Sequence, residues 1–147
     1  MKRIILSANS SWYLYNFRAS TISTLLARNF SVICISPKDN YSESLVKLGA
    51  EWRDIEIDAS GTNPFTDLIL TYHLYKKYLH FKPIAVFHFT IKNNVYGAIA
   101  ARFAGVNAFS NITGLGTAFI NKSFLSMIVK ILYKFSQSKC IKVFCQN

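Results

Sequence analysis

Short runs that are apolar at successive positions constrain this chain more than any other feature. Arg3 to Ala8, Ser31 to Ser36 and Ile84 to Phe89 are nearly unbroken stretches of β-formers. A strand with both faces apolar must be covered on both faces, as central strands of parallel sheets are. Parallel neighbours need a long crossover, usually a helix, and helical patterns lie between these runs. The alternation predicts an α/β domain: a Rossmann-like open parallel sheet of about six strands with helices on both faces.

The elements follow in order. After the first strand, Asn9 to Tyr15 reads as a loop, and Asn16 as the cap of a helix whose apolar stripe includes Ile22, Leu25 and Leu26. Asn29 is a plausible stop. Pro37 closes the second strand, and a short helix from Ser42 ends at Gly49. In Trp52 to Asp58, Asp54, Glu56 and Asp58 alternate with Ile55 and Ile57, which suits an edge strand guarded by charge. In the strand order 3-2-1-4-5-6 the third strand is the edge. Asn63-Pro64 starts a long helix, with Leu68, Tyr72, Tyr75 and Leu79 on one face and Lys76 and Lys77 toward solvent. The fourth strand, Ile84 to Phe89, feeds a helix from Asn94 to about Arg102, closed by Gly105. Asn107 to Ile112, a helix from about Ser123 to Ser136, and Ile141 to Cys145 complete six β units.

With 147 residues, half of them apolar, the chain is one domain with a real core. Its 17 Lys and Arg against 7 Asp and Glu give a net charge of +10. All seven acids lie between Asp39 and Asp67, so long stretches on either side are purely basic. A polyanionic partner follows, either an anionic membrane face or nucleic acid. The basic residues are spread over the elements without a nucleic-acid-binding signature, which argues against nucleic acid. Cys34, Cys140 and Cys145 lack metal or redox spacing, and Cys34 and Cys145 read as small hydrophobes in strands. The opening apolar run is too short for a signal sequence, and no uncharged segment is long enough to span a membrane.

In such sheets ligands sit beyond the carboxyl ends of the strands. Three exits should converge there: Asn9 to Asn16, His88 to Asn94, and Asn111 to Thr117. The first lacks GxGxxG, and there is no Walker A sequence, which counts against a dinucleotide or P-loop site. Candidate binding groups are Asn9, Ser10, Tyr13 and Asn16 in the first exit and His88, Thr90, Lys92 and Asn94 in the second. In the third, Thr113, Gly114 and Gly116 could let backbone amides approach a phosphate or a sugar hydroxyl, or simply make a tight turn. His88 is a weak catalytic candidate as a general base; a satisfied core histidine is the alternative. Lys92, ahead of a helix, could hold an anion or be a solvated loop lysine. No carboxylate is expected near these exits, so an acid/base carboxylate pair is not, and no metal site is expected.

Along the helix near Ser123, Lys122, Ser126, Lys130 and Lys134 fall on one line, and large apolar residues, among them Phe124, cover most of the rest. This suits an interfacial helix on anionic lipid, with Lys122, Phe124, Lys130 and Lys134 facing the membrane. A helix packed between the sheet and a neighbouring domain would look similar.

Four segments carry a resemblance: Ser10-Ser-Trp-Tyr-Leu-Tyr-Asn-Phe-Arg18, Ser60-Gly-Thr-Asn-Pro64, His88-Phe-Thr-Ile-Lys-Asn-Asn-Val-Tyr-Gly97 and Asn111-Ile-Thr-Gly-Leu-Gly116. In that order they resemble the N-terminal domain of family 4 glycosyltransferases of the GT-B fold, in particular bacterial enzymes of capsule, O-antigen and glycoprotein assembly. The resemblance implies retaining transfer of a hexose or N-acetylhexosamine from a nucleotide sugar, commonly a UDP-sugar, to a polyprenyl-linked acceptor. It implies that this domain forms the acceptor side of the cleft and meets the inner face of the plasma membrane, with no cofactor of its own. A C-terminal domain, not among these residues, would hold the donor, so the chain is expected to be inactive alone. A non-catalytic subunit that recruits a separate donor-binding partner to the membrane is the alternative. The Gly-rich first loop of many relatives is replaced by Asn9-Ser-Ser-Trp12, so a donor-phosphate role is not carried over to it.

Overall fold

The computed structural model describes residues 1–112 and 124–145. Six parallel strands form one sheet: β1 (Arg3–Ser7), β2 (Ser31–Ile35), β3 (Glu51–Arg53), β4 (Ala85–Phe89), β5 (Ala108–Ile112) and β6 (Lys142–Cys145). Their order is β3-β2-β1-β4-β5-β6, the expected doubly wound order. The helices are α1 (Ser11–Ala27), α2 (Ser42–Lys47), α3 (Pro64–Phe81), α4 (Ala98–Ala104) and α5 (Phe124–Gln137), and a π-turn (Asn93–Gly97) runs directly into α4.

Two apolar layers cover the sheet. On one side Leu14 and Ile22 of α1 and Leu45 of α2 pack on Leu6, Val32, Cys34 and Phe89. On the other, Leu70, Leu74 and Tyr78 of α3 and Ala100 and Ala101 of α4 pack on Ile5, Ile33 and Val86. The residues of β1 and β2 alternate between these clusters, which is why both strands read as continuously apolar. Burial pushes the Cys34 thiol up to about 12, so it behaves as an inert core group.

Several boundaries differ from the sequence reading. Helix α1 begins at Ser11, so Asn16 is not its cap but lies inside it, donating to the Trp12 carbonyl at 2.9 Å. The cap is Ser10, extended at φ −157°, whose Oγ accepts from Tyr13 N at 3.1 Å. Asp39 adds a carboxylate from the β2 exit that accepts from Trp12 N at 2.9 Å. Strand β3 has only three residues. Past it Asp54 accepts from Lys38 N at 3.1 Å and Ile55 turns into the core, so the alternating acids lie on a crossing segment rather than a strand.

The buried face of α3 is Asp67, Leu70, Leu74 and Tyr78. The stripe expected from sequence is offset from it: Leu68, Tyr72 and Leu79 are exposed and Tyr75 is partly buried. Lys76 is exposed as expected, and Lys77 is half-buried. Strand β6 is an exposed edge, so Cys145 lies in the open rather than in a core.

Three serines tie the first two exits together. Ser11 Oγ lies 2.8 Å from Ser36 Oγ and 2.9 Å from Ser42 Oγ, and donates to the Pro37 carbonyl at 3.1 Å. Trp52 Nε1 donates to Ser36 at 3.1 Å and Asp39 N to Ser42 at 3.0 Å. All three side chains are buried.

Loss of an N-cap hydroxyl leaves a helix donor unsatisfied. Ser10→Ala is expected to lower stability by about 1 kcal/mol, read as a shifted urea midpoint with unchanged slope.

Candidate functional site

The carboxyl ends of β1 and β4 are joined at Thr90. This residue has φ 70°, a left-handed conformation that β-branched side chains rarely adopt and that marks functional turns. Its Oγ1 accepts from Asn9 N and from Asn93 Nδ2, both at 3.2 Å. The chain then turns directly into helix, so Lys92 lies inside the first turn (φ −65°, ψ −38°) rather than ahead of it.

His88 does not reach the rim. It is wholly buried, its Nε2 is 2.9 Å from the Tyr78 hydroxyl, and Nδ1 has no hydrogen-bond partner among the described residues. Burial lowers its pKa to about 3, so it is a neutral core imidazole. Burial raises the Tyr78 phenol, with Ser7 opposing weakly. A Cβ on Gly97 would lie 2.5 Å from the His88 ring. The glycine is therefore needed for the ring to fit beneath the π-turn. Such turns often sit at functional sites.

The turn also collects polar groups that the sequence leaves scattered. Asn94 is buried; its Nδ2 donates to the Asn111 carbonyl at 2.9 Å and its Oδ1 accepts from Asn111 N at 3.2 Å. Gln137 Nε2 donates to the Asn94 carbonyl at 2.7 Å, so Asn94 ties the π-turn to β5 and α5. The Asn93 and Asn111 Oδ1 atoms are buried without a partner among the described residues.

Carboxylates do reach this region, contrary to the sequence expectation. Asp67 of α3 accepts from Lys92 Nζ at 2.6 Å, and both side chains are about nine-tenths buried. Tyr96, from the π-turn that follows Lys92, has its phenol pKa raised, by burial first and then by its hydrogen bond to Asp67 and that residue's charge. Asp39 occupies the start of α1. These acids lie 25 and 27 residues from the partners they meet, so local spacing gives no hint of them.

The structure thus brings Asn9, Thr90 and the π-turn together, with Ser10 and Tyr13 on the adjoining turn of α1. Tyr13 is half-buried, and its hydroxyl accepts from Arg18 at 3.0 Å. Asn16 lies farther along α1 and is exposed. Thr113, Gly114, Gly116 and Lys122 fall outside the described residues, as does the side chain of Phe124. On α5, Lys130 and Lys134 are exposed beside Met127, Ile131 and Phe135, which are also exposed. Arg102 of α4 stacks over the Phe135 ring at 4.6 Å. Among the described residues no group of His, Cys, Asp and Glu could hold a metal ion, and no helix is long and apolar enough to cross a membrane.

Comparison with known proteins gives these features a context. Residues 3–147 match the family described as glycosyl transferase 4-like. The N,N'-diacetylbacillosaminyl-diphospho-undecaprenol alpha-1,3-N-acetylgalactosaminyltransferase of Campylobacter jejuni is 30% identical over 128 residues, covering 84% of this chain. The chain spans about a third of that enzyme's length, 34%.

Among solved structures, Acinetobacter baumannii MurG superposes with a TM-score of 0.67 at 15% identity, covering 100% of this chain and 41% of MurG. The UDP-GlcNAc 2-epimerase of Methanocaldococcus jannaschii gives 0.59 at 19%, covering 100% and 40%. The lipopolysaccharide outer core galactosyltransferase WaaB gives 0.59 at 12%, covering 97% and 38%. At these identities the structural likeness shows the fold alone, since transferases and an epimerase share it.

Two outcomes are expected from the buried histidine. Forcing a methyl group against its ring should cost about 1–3 kcal/mol, so Gly97→Ala should destabilise by that amount. In His88→Ala the same change should cost clearly less, because the ring it strikes is gone; a denaturation double-mutant cycle reads the coupling. Because the folded imidazole stays neutral to about pH 3, the unfolded chain binds the extra proton between about pH 6.5 and 3. The His88 contribution is fully present above that window and is lost as pH falls, at up to about 1.4 kcal/mol per pH unit. His88→Leu should flatten this part of the stability profile.

Proposed function

Since the chain belongs to the glycosyl transferase 4-like family, we propose that it is the acceptor-binding, membrane-facing half of a retaining glycosyltransferase. The reaction moves a hexose or N-acetylhexosamine from a nucleotide sugar, a UDP-sugar, to a polyprenyl-linked acceptor in the synthesis of surface polysaccharide or glycan. A second domain holds the donor, and residues 1–147 are its N-terminal partner, inactive alone. The observation that carries this reading is the rim around Thr90, built at the carboxyl ends of the two central strands in a chain of this family.

The charges on that rim support the division of labour. A helix N-terminus and a lysine are the usual devices for holding a diphosphate. Here the start of α1 already receives Asp39, and Lys92 is paired with Asp67. Both are used within the fold, so this half contributes positioning and hydrogen bonds, and neutralisation of the donor diphosphate falls to the other domain. The polar groups left to face a substrate are Asn9, Ser10, Tyr13 and the neighbourhood of Thr90.

The open surface of α5 supports membrane contact. Met127, Ile131 and Phe135 recur every four residues and are exposed, with Lys130 and Lys134 between them. Apolar side chains that enter the acyl boundary and lysines that meet anionic headgroups describe a peripheral helix on the inner face of the plasma membrane. The same features fit a non-catalytic subunit that brings a separate donor-binding chain to the membrane, and the pairing of Lys92 with Asp67 favours that second reading.

Vesicle flotation and turnover test these statements. Recovery is expected to be higher with anionic than with neutral vesicles. Lys130→Glu with Lys134→Glu should reduce it at least tenfold, at about 1 kcal/mol per basic residue; equal recovery on both vesicles overturns the membrane contact. Transfer from a UDP-sugar to a polyprenyl-linked acceptor should require a covalently attached donor-binding domain. Transfer that appears only when a separate donor-binding chain is added supports the split-subunit reading, and turnover by residues 1–147 alone overturns both.

A further inference from the structure

A cation without a counterion lies on the α1 side of the Thr90 rim. Arg18 is partly buried, with its guanidinium carbon 4.5 Å from the centre of the Phe89 ring and 5.6 Å from that of Tyr13. Phe89 is the last residue of β4, directly before Thr90, and is itself buried. The guanidinium therefore sits over the carboxyl end of a central strand. Stacking on aromatic rings fixes its plane and leaves its N–H edge free for hydrogen bonds.

That edge meets no acid. The ion pairs among the described residues are Arg53–Glu51 and Lys92–Asp67. Asp39, the acid at the start of α1, is directed at the amides of Trp12 and Tyr41. An arginine carries five N–H donors. One of those on Arg18 goes to the Tyr13 hydroxyl at 3.0 Å, and Nε is buried with no partner among the described residues. Cations drawn out of water are ordinarily paired, because an unmet charged donor is costly. Tyr13 accepts from Arg18, so its own proton points elsewhere, and no described residue accepts it. The outcome is a set of donors that lacks an acceptor.

An oxyanion has the complementary chemistry. A planar carboxylate can fill the guanidinium fork with its two oxygens. A phosphoryl group fills the same fork and keeps a further oxygen for the Tyr13 hydroxyl. Beyond Tyr13 the rings continue outward: Phe17 lies 5.2 Å from Tyr13 and meets Trp12 edge-on at 5.4 Å, and both are exposed. Exposed aromatic faces beside a cation suit the organic part of a phosphate ester.

We infer that Arg18 and Tyr13 form a phosphoryl-binding site in the first strand exit, with the organic part of the ester against Phe17 and Trp12. The site rests on this geometry, and on the glycosyltransferase reading it has a further meaning: Arg18 makes transfer selective for a phosphorylated acceptor over the free sugar.

Amide NMR of the 147-residue chain tests the site. Inorganic phosphate should shift the amides of Tyr13, Phe17, Arg18, Phe89 and Thr90, and acetate should bind more weakly. Arg18→Gln should weaken phosphate binding about tenfold. Arg18→Lys, which keeps the charge and loses the fork, should recover only part of that loss. Tyr13→Phe keeps the ring and should weaken binding about threefold. Phenyl phosphate should bind more tightly than inorganic phosphate, and Trp12→Ala with Phe17→Ala should remove that gain alone. Because Arg18 packs on Phe89, urea midpoints are measured alongside; if Arg18→Gln does not fold, Arg18→Lys and Tyr13→Phe decide the matter.

Phosphate shifts elsewhere on the chain, acetate binding as tightly as phosphate, or unchanged affinity in Arg18→Lys and Tyr13→Phe overturns the site. In an enzyme carrying the donor domain, Arg18→Lys should raise KM for a sugar 1-phosphate acceptor and leave KM for the UDP-sugar nearly unchanged. A rise confined to the UDP-sugar overturns the assignment to the acceptor. Absence of transfer by the unsubstituted enzyme overturns the glycosyltransferase reading, while the phosphate titrations still decide the site.

Discussion

Much of the polar cluster at the carboxyl ends of the central strands is built over an imidazole that must stay dry. His88 lies in the central part of the sheet, hydrogen-bonded to Tyr78 and roofed by Gly97. Because the roof residue has no side chain, the turn above can sit close to the strand. That close approach accompanies the wider π coil, which carries Asn94 to β5 and Tyr96 to Asp67 of α3, where Lys92 also ends. A neutral ring deep in the sheet thus fixes polar groups that it never touches.

The fold was legible because its strongest signals are local. Apolar runs, Pro64 after Asn63, and Gly49 and Gly105 at left-handed positions each act within a few residues. What failed depends on distant partners. The start of α1 is stabilised by Asp39 from the next exit, so a reading confined to the helix chose Asn16. The face of α3 was misplaced because apolar residues occur both inside, at Leu70, Leu74 and Tyr78, and outside, at Leu68 and Tyr72. Periodicity alone could not choose between two such stripes. For the candidate site, the meeting of Asn9 and Thr90 follows from their places at the ends of neighbouring strands. The sequence leaves His88 open between a core and a catalytic role; its burial against Tyr78 and the pairing of Lys92 with Asp67 are both decided by α3.

The confinement of all acids to the middle of the chain takes on a spatial meaning. Asp39 and Asp67 are consumed by contacts that join neighbouring βα units, whereas Glu56 and Asp58 gather at the sheet edge. The basic residues farther along the chain include Lys130 and Lys134 on the exposed side of α5. One surface of a strongly cationic molecule is therefore locally acidic, and its polarity changes along a single helix.

The buried serines have a consequence for how the first two exits behave. A carbonyl cannot donate, so Ser11 gives its one proton to Pro37; Ser36 and Ser42 must then both point their protons at Ser11. Each of those two in turn accepts from an N–H, of Trp52 or of Asp39. In this arrangement every hydroxyl hydrogen of the cluster has an acceptor. Reversing either Ser–Ser bond would leave the Pro37 carbonyl without the Ser11 proton. The cluster acts as a rivet, so the first two strand exits and the start of α1 are held as one rigid unit.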